Sequence, residues 1–168
     1  MPSWRVHERW AQRLGIPFNV ANFVNRLIDK PSDVQEYIDF LSGQESAPSR
    51  RSGGRMKVVT LPLSMRERHN SGRKLKTYAR LQLKFLSNKG LEYVKAWYLH
   101  HTLDYIESTP SLEPTETLGR IKRTFVTKCN NHDFSRILEE VLEFCRKNLS
   151  KIVHDIQKTC RSPRLETL

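Results

Sequence analysis

Residues 134–159 read FSRILEEVLEFCRKNLSKIVHDIQKT. Phe134, Ile137, Leu138, Val141, Cys145, Leu149, Ile152 and Ile156 recur at three- and four-residue steps, the mark of one continuous helical stripe. At about 1.5 Å per residue the helix runs for roughly 40 Å, the span of a small domain. Asn130, Asn131, His132 and Asp133 form a turn and capping cluster before it. Such a helix makes the backbone of an all-α core.

Toward the N-terminus the same period returns. Leu118, Ile121, Phe125 and Cys129 share one helix side, with Arg120, Arg123 and Thr127 on the other, and Pro110 and Pro114 bracket the turn before them. Over Leu91–Glu107, Val94, Trp97, Tyr98, His101 and Tyr105 fall on one face with Leu91 at its edge. Tyr78, Leu81, Phe85 and Leu86 carry a shorter pattern that stops near Asn88 and Gly90. The tryptophans and tyrosines sit beside Leu and Val at helical spacing, so they read as core rather than as base-stacking platforms.

The first 43 residues predict three short helices. Ser3 caps Trp4, His7, Trp10, Ala11 and Leu14, and Gly15 with Pro17 stops them. Asn19 precedes Val20, Phe23, Val24, Leu27 and Ile28, and Pro31 ends that run. Ser32 with Gln35 reads as a capping box for Val34, Tyr37, Ile38 and Leu41, with Gly43 as C-cap. Five basic and five acidic side chains leave this unit neutral, which suits packing more than binding.

The expected organisation is all-α with six or seven helices. Residues 1–43 form an N-terminal helical subdomain and 44–77 a basic flexible segment; 78–161 form a helical core packed with 1–43, and 162–168 a frayed tail. QESAPSRRSGGR (44–55) reads as an exposed loop, and in MKVVTLPL (56–63) Pro62 and the lack of a partner strand argue against a sheet.

The 168 residues include 29 Lys+Arg against 18 Asp+Glu, a formal +11. No apolar run approaches the ~20 residues of a membrane span, and the start lacks a signal-peptide core. Cys129, Cys145 and Cys160 are odd in number and widely spaced, so neither a disulfide framework nor a thiolate zinc site is expected. Cys145, central in its stripe, is expected to be inert, and Cys160 to be the reactive thiol. These features exclude a membrane protein and a secreted mini-protein, and leave a basic cytoplasmic protein.

Most of the charge excess lies in residues 49–77. There Arg50, Arg51, Arg55, Lys57, Arg66, Arg68, Arg73, Lys74 and Lys76 face Glu67 alone, a net +8. Lys and Arg bind nucleic acid by neutralising phosphates and releasing counterions. Gly and Ser between them let the backbone approach the polyanion, and Arg pairs with phosphate bidentately. The first functional expectation is therefore a non-enzymatic, cofactor-free nucleic-acid-binding protein directed by backbone or shape, for example a ribonucleoprotein, ribosome-associated or DNA-packaging component. Arg120, Arg123, Lys128, Arg146, Lys147 and Lys151 would extend its footprint. An acidic protein surface is the competing partner, no membrane is expected, and an apolar face left exposed on the last helix would point to an oligomer.

The second expectation comes from LHHTLDY (99–105). His100 and Asp104, at i and i+4, reach one cation if they share a helix face. His7 and His69 would complete a set of three imidazoles and a carboxylate suited to zinc, iron or manganese. Such an ion makes hydroxide from water at neutral pH for attack on a phosphodiester. The bland alternative is a surface pair at His100–Asp104 and packed histidines elsewhere. In His100-x-x-x-Asp104 and its scattered histidines the chain resembles the all-helical metallohydrolases, both HD-domain phosphohydrolases and the zinc-dependent phospholipase C group. The resemblance implies a metal gathered from several helices and covers under a tenth of the chain. The adjacent His-Asp pair of an HD site would be His132–Asp133 or His154–Asp155, and Asn70 rather than Asp follows His69. No nucleotide-binding loop, nucleophile elbow or catalytic cysteine signature accompanies it.

Overall fold

The computed structural model describes residues 4–45, 72–109, 113–129 and 134–161. They form α1 (Trp4–Arg13), α2 (Phe18–Asp29), a 3-10 turn (Pro31–Asp33), α3 (Gln35–Glu45), α4 (Gly72–Ser87), α5 (Leu91–Ser108), α6 (Pro114–Cys129) and α7 (Ser135–Arg161). The fold is all-α, with no strand among the described residues. Among them no helix is long and apolar enough to cross a membrane. Ser3, the segment 56–63, Pro110, the cap cluster 130–133 and the tail 162–168 lie outside the described residues.

α5 is the axis. It packs against α1, α2, α4, α6 and α7, and it is buried on every side: Val94, Ala96 through Asp104, and Ile106. A helix buried all round needs apolar residues or satisfied polar ones at every turn. Trp97 Nε1 donates to Gln82 Oε1 (2.8 Å), Gln82 Nε2 donates to the Leu27 carbonyl (3.4 Å), and Thr102 returns its hydroxyl to the Tyr98 carbonyl (2.7 Å). The one-sided face expected for this helix is thus corrected. The opposite side, with His100, Thr102 and Asp104, is polar in type yet equally buried.

α1 ends as its sequence dictates. Gly15 takes φ +82°, Gly15 N–H bonds to the Gln12 carbonyl (3.0 Å) and Ile16 N–H to the Ala11 carbonyl (2.9 Å). This is a Schellman closure, and the Ile16 side chain is buried beside it. The chain then reverses, so α1 and α2 lie together against α5.

Four local expectations fail. α2 opens at Phe18 behind Pro17 with no side-chain cap, not after Asn19. Ser32 stands in the 3-10 turn set by Pro31, its hydroxyl on the Asp33 carboxylate, so no capping box forms and α3 opens at Gln35. α3 continues through Gly43 to Glu45, because nothing there demands the left-handed conformation that makes glycine a cap. α4 begins at Gly72, so Arg73, Lys74 and Lys76 belong to a helix rather than to a flexible segment.

α7 lays its stripe into the core as its period predicts. Leu138, Val141, Leu142, Cys145, Ile152 and Ile156 are buried, and Phe134, Ile137 and Leu149 pack at the margin. Burial pushes the Cys145 thiol up to about 12, which makes it inert. Arg9 on α1 donates to Asp155 on α7 (3.2 Å), tying the two ends of the chain together at the surface.

Candidate metal centre

Three helices each contribute polar side chains to one buried point. α1 brings His7, inside a stripe otherwise made of Val6, Trp10 and Ala11. α5 brings His100 and Asp104, one turn apart on the same face. α2 brings Asn25 and Asp29, again one turn apart. Both histidines are 2% exposed and Asp104 is 8% exposed.

The carboxylate of Asp104 bridges the two imidazoles. His7 Nε2 lies 3.3 Å from Oδ1, and His100 Nε2 lies 3.3 Å from Oδ2. The rings are stacked, with centroids 4.1 Å apart and planes 8° from parallel. His100 Nδ1–H donates to Asn25 Oδ1 at 2.8 Å, so the remaining Nε2 lone pair is turned toward the carboxylates. Asp29 Oδ1 stands 3.9 Å from the same Nε2, while Asp29 Oδ2 accepts from the indole of Trp4 at 2.5 Å.

A ring nitrogen and a carboxylate oxygen 3.3 Å apart in a core call for a proton or a cation between them. A proton meets that need on one ring; a divalent cation meets it on both. Burial, reinforced by the neighbouring His7, holds His100 below its ordinary 6.5, although both Asp104 and Asp29 pull the other way. Burial also opposes the charge on Asp104, but the two imidazoles outweigh it and hold that carboxyl well below the usual carboxylate range. Neutral imidazole and ionised carboxylate are the protonation states a metal ion selects.

The distances suit a metal. Two donors about 2.1 Å from one ion lie about 3.4 Å apart at the tetrahedral angle. His7, His100 and Asp104 offer ligand atoms all within 4.8 Å of one another, and Asp29 falls outside that mutually close set. Both nitrogens of His7 and both oxygens of Asp104 are buried without a hydrogen-bond partner, an arrangement a protein core rarely tolerates. Two nitrogens and one oxygen favour zinc, iron or manganese over magnesium or calcium.

Of the four ligands expected from sequence, the fold gathers His7, His100 and Asp104, while His69 lies outside the described residues. The surface-pair alternative for His100–Asp104 is excluded by their burial. His101 packs on Trp97 (ring centroids 4.2 Å apart) and Phe125, as a core histidine. Of the two adjacent His-Asp pairs, His132–Asp133 is outside the described residues; His154 is exposed and Asp155 pairs with Arg9. Sequence reading missed Asn25 and Asp29. Their signal is the four-residue step Ala21, Asn25, Asp29, a line beside the apolar stripe of α2.

The basic residues are placed differently. Arg50, Arg51, Arg55, Lys57, Arg66 and Arg68 lie outside the described residues; Arg73, Lys74 and Lys76 lie on the first turns of α4. Of the six cations on α6 and α7 expected to widen the footprint, three sit in ion pairs: Arg120 with Glu116 (2.8 Å), and Arg146 and Lys147 with Glu143 (2.8 and 3.5 Å).

The shifted groups set a pH dependence for the metal-free protein. With its folded value below 6.5, His100 takes up a proton in the unfolded chain first. Its contribution to stability is present above about 6.5 and is lost as pH falls through that unfolded value toward the lowered folded one. Asp104 adds a loss of the same sign at lower pH. Thermal melts of chelator-treated protein should show Tm falling as the buffer goes from about pH 7 to about pH 5. A constant or rising Tm would contradict it.

No family model, curated protein or solved structure matches the chain, so its chemistry must be read from these residues themselves.

Proposed function

We propose that this chain is a metal-dependent phosphohydrolase acting on nucleic acid, with one divalent zinc, iron or manganese ion held by His7, His100 and Asp104. The observation that carries the reading is the convergence of these three side chains, drawn from positions 7, 100 and 104, on one buried point. When bound, such an ion lowers the pKa of water toward neutrality. Three protein donors leave coordination positions open, as in catalytic rather than structural sites. Asp29, fixed by Trp4, adds a second negative charge at the site. Hydrolysis joins water oxygen to phosphorus, breaks the ester P–O bond and delivers the proton to the leaving alkoxide. The nine cations of residues 49–77 suit the grip on a polyanionic substrate. The buried, unpaired thiol of Cys145 suits a reducing, cytoplasmic setting.

Elemental analysis of untagged protein, followed by cleavage assays on single-stranded RNA and DNA, tests the reading. The expected result is near-stoichiometric metal, with turnover lost to a chelator and regained when the ion is restored. The charge concentration favours a second reading, nucleic-acid binding without chemistry. That reading predicts no bound metal and full affinity after His100→Ala. It also predicts log affinity falling with log salt by about 0.7–0.9 per phosphate contact. Metal-free, inactive protein with such a salt slope would replace the first reading by the second.

A further inference from the structure

Asn25 is 2% exposed, deep between α2 and α5, and an amide there has to be accounted for atom by atom. Its Oδ1 accepts from His100 Nδ1 at 2.8 Å. Its Nδ2 is buried with no hydrogen-bond partner, and so is His7 Nδ1. Both residues line one small cavity of about 10 Å³, walled also by Ala11, Ala21 and Ala96 and closed by His100. That is about the space one water occupies, and a buried water needs at least two polar partners. Among the lining residues, Asn25 Nδ2 and His7 Nδ1 are buried polar atoms that a water there would serve, while alanine methyls make up much of the rest.

We propose that Asn25 is the positioning residue for both imidazoles of the metal centre. Oδ1 holds His100 directly. Nδ2 donates to one buried water, and that water accepts the second hydrogen bond from His7 Nδ1–H. Each ring thereby keeps its proton on Nδ1 and presents the Nε2 lone pair to Asp104 and the ion. Ligating histidines are regularly oriented through the other ring nitrogen in this way, and loss of such a partner weakens metal affinity by about 10–100-fold. The purpose assigned to Asn25 rests on the metal reading above; the tautomers and the water do not.

Long-range nitrogen–proton correlation spectra of the metal-free chain report the tautomers. The expected result is Nδ1–H at both His100 and His7, with a hydration cross-peak at the Asn25 side-chain amide. Cobalt titration then compares variants by the intensity of the metal's visible bands. Asn25→Leu, close in size and without polar atoms, should weaken cobalt affinity by about 10–100-fold. Asn25→Asp, which still accepts from His100, should stay within a few-fold of wild type. A bare Nδ1 at His100 in the wild type, with the proton on Nε2 alone, overturns the proposal even if Asn25→Leu does not fold. Equal affinity in wild type and Asn25→Leu, or equal losses in both variants, also overturns it. Absence of the hydration peak overturns the His7 arm. A wild-type chain with the expected tautomers that takes up no cobalt leaves Asn25 as described and removes the metal reading instead.

Discussion

Asp104→Asn will abolish stable metal binding and, with it, any metal-dependent turnover. Asp104 touches both imidazoles, at 3.3 Å on each side. An asparagine keeps the shape but loses the charge and replaces one acceptor oxygen with an NH₂ donor that repels a cation. Losing a direct ligand should cost at least the upper end of the penalty for losing a supporting residue, about a hundredfold. Thermal shift makes this visible without an activity assay. An ion at about a hundred times its dissociation constant stabilises the native state by about 2.7 kcal/mol. For a chain of this size that raises Tm by about 5–10 °C. Wild type should show this rise with zinc or manganese, and Asp104→Asn should show none. A full shift in the variant would mean that the ion binds elsewhere.

Trp97→Ala should be the most damaging change to the fold. The indole is 0% exposed at the centre of α5, against His101 at 4.2 Å and Phe125 at 5.6 Å between ring centroids. Truncating a buried tryptophan costs about 3–5 kcal/mol. It also strands Gln82 Oε1, its 2.8 Å acceptor, at a further cost of about 1–3 kcal/mol. Against a total of about 5–15 kcal/mol for an ordinary domain, little remains. Urea titration followed by circular dichroism should place the midpoint far below that of wild type, or find the variant unfolded in buffer. A midpoint within a few tenths molar of wild type would show that Trp97 is not central to the core.

Helix type and order were legible because most of the helices are amphipathic. The stripe from Phe134 to Ile156 needs only a 3.6-residue period to be seen, and it is buried along its length. The period misleads on α5, where both faces are buried and polar residues on one of them look solvent-facing. Caps were less legible than helices. Ser32 and Gln35 have the right spacing, but Pro31 and the backbone at Val34 set a different turn.

Three of the five residues of the candidate site were legible, His7, His100 and Asp104. His100 and Asp104 are one turn apart on a helix, so their proximity is local and needs no tertiary knowledge. His7 was a guess about convergence that packing of α1 on α5 makes real. Asn25 and Asp29 were hidden because their helix was read through its apolar residues. The neutral charge of residues 1–43, taken as a sign of mere packing, concealed half of the polar cluster.

Where the ligands come from has a kinetic meaning. Residues 7 and 100 stand 93 positions apart, so an ion shared by them closes a long loop. Bringing the ends of such a loop together costs about 4 kcal/mol of chain entropy, and a bond across it removes that freedom from the unfolded ensemble. His100 and Asp104, local to α5, can hold an ion weakly before α1 arrives. On the metal reading proposed above, an ion shared with His7 would act as a latch between α1 and α5, and its withdrawal should loosen α1 before the rest of the core.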